Sequence, residues 1–203
     1  MRPLLSLTLS LFLLVFVTTL RADAKDVSGS APLTTLELVE YLNLDGHVEG
    51  GFFRRTYASD YTLLTRAGDR RLSMTSIFYL LAAQSPIGHF HLNQSDIVHY
   101  FHLGDPITYH LLYPNGDYQR VVMGPDLRQG QLLQLTVPGG VWKASEIPGD
   151  GDHGFGLISE AVSPGFEYAD MTLGQQDQML ARFPQHQKLV KRLSHASVPT
   201  SDQ

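Results

Sequence analysis

The sequence predicts a mostly β domain of the sandwich or barrel type, jelly rolls included. Three observations carry that prediction. Between residues 46 and 173, short runs rich in β-branched and aromatic residues, "MTSIFYLLAA", "DIVHYFHLG", "QLLQLTVPGG" and "FGLISEAVSPG", are separated by turn residues. The composition, with 18 glycines, 11 prolines and 10% aromatic residues, suits short strands joined by tight turns. Asn115-Gly116, between "ITYHLLYP" and "DYQRVVM", is a strong hairpin signal. Evenly spaced short strands of this kind close into sandwiches or barrels.

The elements follow in order. "MRPLLSLTLSLFLLVFVTTLRADA" has an early arginine, an apolar run from Leu4 to Val17 and a small-x-small end at Ala22-Asp23-Ala24. This is the layout of a secretory signal peptide over 1–24. Its apolar run is about 14 residues, short of the roughly 20 that span a bilayer. The mature chain is expected to begin near Lys25, to be secreted, and to have no membrane attachment after cleavage. Residues 25–32, with "SGSAP", read as a linker. "LTTLELVEYLNLDG" reads as a helix over 33–44: Thr34 and Glu37 have capping-box spacing, Leu36, Val39, Leu42 and Tyr41 form an apolar stripe, and Asp45-Gly46 ends it. The strands occupy the domain that runs to 175. The tail, 176–203, carries Leu180, Phe183, Leu189, Val190 and Leu193, and is expected to be helical in pieces, broken at Pro184 and frayed after Ser194.

Composition narrows the function. With 43% hydrophobic residues the chain can build a sizeable core, and it has no cysteine. An exported domain of about 180 residues can stand without disulfides. The missing thiols exclude thiolate catalysis and cysteine-ligated metal centres. A net charge of -5 with no basic block argues against a nucleic-acid partner.

Five of the nine histidines lie between residues 89 and 110. In a regular strand His89 and His91 of "SPIGHFHLNQSD" share one face, so both are expected to point into the barrel. A pair at i and i+2 is one way to present two imidazoles to a metal; two histidines satisfied by polar neighbours is the other reading. His99 shares strand parity with Ile97 and Phe101. Asn93-Gln94-Ser95 is formally a glycosylation sequon, or equally a loop in which Asn93 and Ser95 bond backbone.

Gly88, His89, His91 and Gly104 resemble the first cupin motif, and "VPGGVWK" (137–143) resembles the second. With "HVEGGFFRRTY" (47–57), "TSIFYLL" (75–81), "GDP" (104–106), "VMGPDLRQGQ" (122–131) and "ISEAVSPGFEYADM" (158–171), the chain resembles a small single-domain cupin family of RmlC-like type, a domain of unknown function, over about residues 33–175. The resemblance implies a cupin-type double-stranded β-helix, a jelly-roll barrel with a pocket at one mouth, with a short N-terminal helix and a partly helical tail. It also implies a homodimer.

The metal pattern of the resemblance is incomplete. The position of the last histidine is Lys143, which has no lone pair while protonated and repels a cation. The first-motif carboxylate falls on Asp96 or on Ile97, depending on the end from which it is counted. No cofactor is therefore favoured. The alternative is a divalent transition metal held by His89, His91, His99 or Asp96.

In a metal-free pocket, His91, His99 and Glu160 are the candidate catalytic groups, because histidine exchanges protons near neutral pH and Glu160 alternates with apolar Ile158 and Val162. Glu160 is equally read as half of a structural ion pair with Lys143 or Arg54. Glu49, Arg54, His89, Lys143 and Trp142 are the candidate ligand-binding residues, with Lys143 offering positive charge to a carboxylate, phosphate or sugar oxygen. Tyr57, Tyr79, Phe90, Tyr100, Phe101 and Trp142 are candidate walls. The expected partner is a small polar or sugar-like molecule, bound and also isomerised or epimerised. The alternatives are a non-catalytic extracellular carbohydrate-binding or matrix module, and a metal-dependent oxygenase, decarboxylase or hydrolase. Whether the chain is an enzyme is left open by the residues themselves.

Overall fold

A computed structural model describes residues 33–65 and 67–197. The expected signal peptide and linker lie outside the described residues. Three helices, α1 (Thr35–Tyr41), α2 (Gln176–Arg182) and α3 (Gln187–Leu193), flank the strands. The strands are β1 (Asp45–Gly46), β2 (Phe52–Ala58), β3 (Thr62–Leu64), β4 (Arg70–Leu72), β5 (Thr75–Ala82), β6 (Ile87–Asn93) and β7 (Asp96–Gly104). They continue with β8 (Ile107–Leu112), β9 (Tyr118–Met123), β10 (Gln134–Val137), β11 (Trp142–Glu146), β12 (Phe155–Ser163) and β13 (Met171–Leu173).

Two antiparallel sheets face each other. One has six strands in the order β1-β2-β5-β12-β7-β10, the other five in the order β13-β6-β11-β8-β9, and β3-β4 form a separate ribbon. Chain neighbours such as β6 and β7 lie in different sheets, so the chain crosses repeatedly between layers, as a jelly roll requires. The hairpin at Asn115-Gly116 joins β8 to β9, closed by the Tyr113 N–H donating to the Asp117 carbonyl at 2.9 Å. Gly116 there has φ of 92°, a conformation that glycine adopts without strain.

Alternation along the strands sorts apolar residues into three layers. Tyr79, Leu81, Ile107, Tyr109, Leu111, Met123 and Ile158 fill the space between the sheets. Residues of the opposite parity face outward, and on both sheets that outer face is covered. Leu80, Ala82, Phe155 and Leu157 of the six-stranded sheet receive α1 through Leu38 and the following Leu44. Phe90, Leu112, Trp142 and Ala144 of the five-stranded sheet receive Met179, Phe183, Val190 and Leu193 of the C-terminal segment.

The α1 capping box forms as the spacing predicts: the Glu37 N–H donates to Thr34 Oγ1 at 3.3 Å, and Glu37 Oε2 accepts from the Thr34 N–H at 2.8 Å. The apolar stripe needs correction. Leu38 is the buried residue, with Val39 and Leu42 beside it, whereas Leu36 and Tyr41 are exposed. With only two turns, the helix buries what faces the sheet from 38 and 42, four residues apart. Thr34→Ala is expected to lower unfolding free energy by about 1 kcal/mol, read from the urea midpoint at unchanged slope.

The tail breaks where Pro184 predicts, with a single 3-10 turn at Pro184–His186 between α2 and α3. Fraying is expected after Ser194; the described residues are still paired at His195, and 198–203 lie outside the described residues. The Gln176 N–H donates to the His195 carbonyl at 3.0 Å, closing the segment on itself. Val190 and Leu193 are fully buried, so the tail is the lid of the second sheet.

Candidate functional site

A cavity of about 470 Å³ lies between the sheets at the end where β6 runs into β7. Its apolar wall comes from Phe53, Ile77, Ile97, Val162, Phe166 and Tyr168, and its polar wall from His47, Glu49, Arg55, His91, Asn93, Glu160 and Glu167.

Glu49 stands on the loop between β1 and β2, and the loop is pinned at each residue. The Glu49 carbonyl accepts from the His89 N–H at 2.6 Å, the Gly50 carbonyl from the Tyr79 hydroxyl at 2.8 Å, and the Gly51 N–H donates to Ser85 Oγ at 2.7 Å. Gly50 has φ of 101°, and a Cβ there would lie 2.1 Å from the Ile87 carbonyl oxygen. The Gly-Gly pair thus lets the loop lie against β6 and turn Glu49 inward. Burial keeps the Tyr79 hydroxyl well above its ordinary range, so it acts as a fixed donor.

Glu49 Oε2 lies 3.0 Å from His91 Nε2, and Oε1 lies 3.7 Å from His47 Nδ1. His91 Nδ1 faces the His89 carbonyl at 2.8 Å. Both nitrogens of His91 therefore face acceptors, and the ring satisfies both only when both carry protons. Burial alone would raise the Glu49 carboxyl, but His91 and His47 outweigh it and bring Glu49 down to about 2. The dyad is a hydrogen-bonded carboxylate–imidazole pair on the cavity wall.

Glu160 lines the cavity from β12, backed by two groups that do not. Lys143 Nζ donates to His99 Nε2 at 2.8 Å and to Glu160 Oε1 at 3.3 Å. His99 Nδ1 faces the Leu135 carbonyl at 3.2 Å. Its Nδ1 therefore carries the proton and its Nε2 lone pair accepts from the lysine. Burial, then Lys143, lowers His99 and keeps it neutral. Burial opposes ionisation of Glu160, yet the Lys143 ammonium holds that carboxyl well below the usual range.

These contacts sort the residues predicted from sequence. His91, Glu49 and Glu160 meet at the cavity. His99 does not reach it, because Lys143 lies against its free nitrogen. Lys143 itself is spent on His99 and Glu160, which corrects its expected role as an anion receptor. Glu160 has too little proton affinity for a general base and serves as an acceptor. His89 does not share the face of His91. Gly88 pairs with Ser145 and His91 with Lys143, so β6 carries one extra residue opposite Ala144, a β-bulge. Gly88 and His91 face inward, while Phe90 packs under the tail and His89 lies against His195. Arg54 donates from Nε to the Leu42 carbonyl, behind α1, and the cavity arginine is its neighbour Arg55. Trp142 packs under the tail with Phe90. Of the other candidate walls, Tyr79 and Phe101 belong to the core between the sheets, and Tyr57 and Tyr100 are exposed.

The donor set does not fit a resident transition metal. Lys143 occupies the lone pair of His99, and Glu49 occupies His91 Nε2. Asp96 is exposed, where its Oδ1 accepts from the Gly139 N–H at 2.8 Å. Among the described residues no three histidine, cysteine or acidic side chains are grouped to hold an ion. Asn93 is buried on the cavity wall, so its sequon reading fails in the folded chain.

Residues 36–174 match the family described as Cupin superfamily (DUF985). The chain belongs to this family. The cupin is 39% identical over 153 residues to the uncharacterized protein YML079W of Saccharomyces cerevisiae, covering 70% of this chain and 75% of that one. A hypothetical protein from Leishmania major superposes with a TM-score of 0.77 at 32% identity, over 80% of this chain and 99% of that one. Protein SO0799 from Shewanella oneidensis superposes with a TM-score of 0.72 at 34% identity, over 80% and 98%.

The sequence reading missed His47, Arg55, Phe53, Phe166 and Tyr168. His47 lies two residues before Glu49 in the same block, and stacks on Tyr168 at 6.3 Å with its edge toward Phe53 at 4.5 Å. Phe53 and Arg55 share a face of β2 with period two, so the choice of Arg54 was a parity error. Phe166 and Tyr168 stand in "ISEAVSPGFEYADM", a block that carries the resemblance and from which only Glu160 was taken as a site residue.

Proposed function

We propose that this cupin binds a small, neutral, hydroxyl-rich molecule, sugar-like in chemistry, in the cavity beside Glu49. One observation carries the reading: Asn93 Oδ1 is buried on the cavity wall and finds no hydrogen-bond donor among the described residues. Buried acceptors of that kind are rare in folded chains; the Asn93 side chain lines the cavity, and a small turn of its amide would let a ligand hydroxyl satisfy this one. The neighbouring carboxylates of Glu49 and Glu160 are also acceptors; His47 and His91 flank the first along the wall, and the Lys143 ammonium backs the second. The wall therefore asks for donors without asking for a net cation. Phe53, Phe166 and the His47–Tyr168 stack offer apolar faces to the C–H side of such a molecule.

A second reading, isomerisation or epimerisation, rests on the Glu49–His91 pair. With both ring nitrogens facing acceptors, the ring would hand its Nε2 proton to a ligand oxygen only where that oxygen displaces Glu49, whose carboxylate would then steady the ring as it recovers the proton.

The test is a ligand-observed NMR screen of neutral sugars and polyols against matched sugar acids and phosphates. Neutral compounds should bind, and Asn93→Ala should weaken the best of them about tenfold, the loss of one hydrogen bond. Binding confined to the acids, or indifference to Asn93→Ala, defeats the reading.

We further propose that the N-terminal segment directs export, so that secreted material begins near Lys25, and that the mature chain is a homodimer. Edman sequencing of secreted protein checks the first; an intact Met1 on membrane-retained protein refutes it. Light scattering at micromolar concentration checks the second, and a monomer mass removes the dimer.

A further inference from the structure

The bulge that takes His89 out of the cavity sets it against His195, where the C-terminal segment closes on the barrel. The two ring centroids lie 4.1 Å apart with planes inclined by 42°. The Leu193 carbonyl lies near the His89 ring and the Val48 carbonyl near the His195 ring. His89 Nδ1 and His195 Nε2 are buried and find no partner among the described residues. A neutral imidazole carries one proton and presents a lone pair at its other nitrogen. Burial lowers the proton affinity of both rings, His195 to about 4, which keeps those lone pairs free near neutral pH.

Two adjacent imidazole lone pairs are the donor set that borderline divalent ions select. We propose that His89 and His195 form a two-imidazole seat for a divalent transition ion, zinc foremost, that fastens the C-terminal segment to β6. Zinc–nitrogen bonds of about 2.0–2.1 Å meeting at the tetrahedral angle would set the ring centroids roughly 5.2 Å apart. The rings therefore part by about 1 Å from the present 4.1 Å to admit the ion. Solvent completes the coordination shell. The seat is separate from the cavity, whose His91 points to the other side of β6.

The mature chain, dialysed against chelator and then buffer, is titrated with zinc chloride by calorimetry and by thermal melting. One ion per chain is expected. At a hundredfold excess over Kd, Tm should rise by about 5–10 °C. His195→Gln and His89→Gln should each abolish the rise, and His91→Gln should keep it. Long-range nitrogen–proton NMR of the unaltered chain provides a readout that needs no variant: zinc should shift His89 Nδ1 and His195 Nε2 and leave His91 in place. Three results overturn the proposal: no zinc binding, which leaves the pair bridged by water; binding unchanged in His195→Gln; or binding lost in His91→Gln.

Discussion

Lys143→Met is expected to cost about 3–5 kcal/mol of unfolding free energy, the usual penalty for removing one partner of a buried ion pair. The lysine side chain is 4% exposed, and its ammonium serves both Glu160 and His99. Methionine fills much the same volume, so the loss would come from stranding a carboxylate and an imidazole lone pair inside the barrel. For a domain of this size that is a fall in Tm of roughly 6–20 °C. Lys143→Met with Glu160→Gln should recover a large part of the loss, because the second change removes the charge that the first leaves unpaired. Urea unfolding of both variants decides the matter. A single-variant cost under about 1 kcal/mol, or a double variant no better than the single, would show that the pair contributes little and that Glu160 is not held by it.

Acid is expected to destabilise the fold through Glu49. The group is near 4.5 when unperturbed and about 2 in the folded chain. A depressed carboxyl stabilises at any pH above its unfolded value, and that stabilisation disappears as pH falls through the window from 4.5 to about 2. The difference corresponds to roughly 3 kcal/mol at neutral pH. Glu160 is shifted in the same direction and adds to the slope. Urea midpoints measured from pH 7 to pH 2.5 should therefore fall, and Glu49→Gln should flatten the lower part of the curve. A curve for Glu49→Gln parallel to that of the unaltered chain would assign the acid sensitivity elsewhere.

The architecture was legible because it rests on period-two patterning and turn residues, which are local. The strands at 74–83, 96–104 and 155–165, the Asn115-Gly116 hairpin and the Thr34–Glu37 box all follow from neighbours in sequence. Glu49 and Glu160 were legible for a similar reason, as carboxylates set within apolar or glycine-rich blocks. What failed was anything that depends on which sheet a residue faces. Arg54 and Arg55 differ only in parity, and choosing between them requires the register of β2 on β5. His89 was misplaced because a bulge is set by the partner strand, here by Ser145 and Lys143, more than fifty residues away. The expected use of Lys143 failed because two partners from other strands, His99 and Glu160, claim its ammonium first. No local signal marks that meeting.

The bulge in β6 also bears on how the C-terminal segment is held. Two consecutive side chains, His89 and Phe90, lie on the tail side of the strand where strict alternation would place one. Deleting either would leave Gly88 and His91 facing the barrel and a single residue facing the tail. An insertion or deletion of one codon here therefore changes the grip on the tail while every cavity-lining codon is left unaltered.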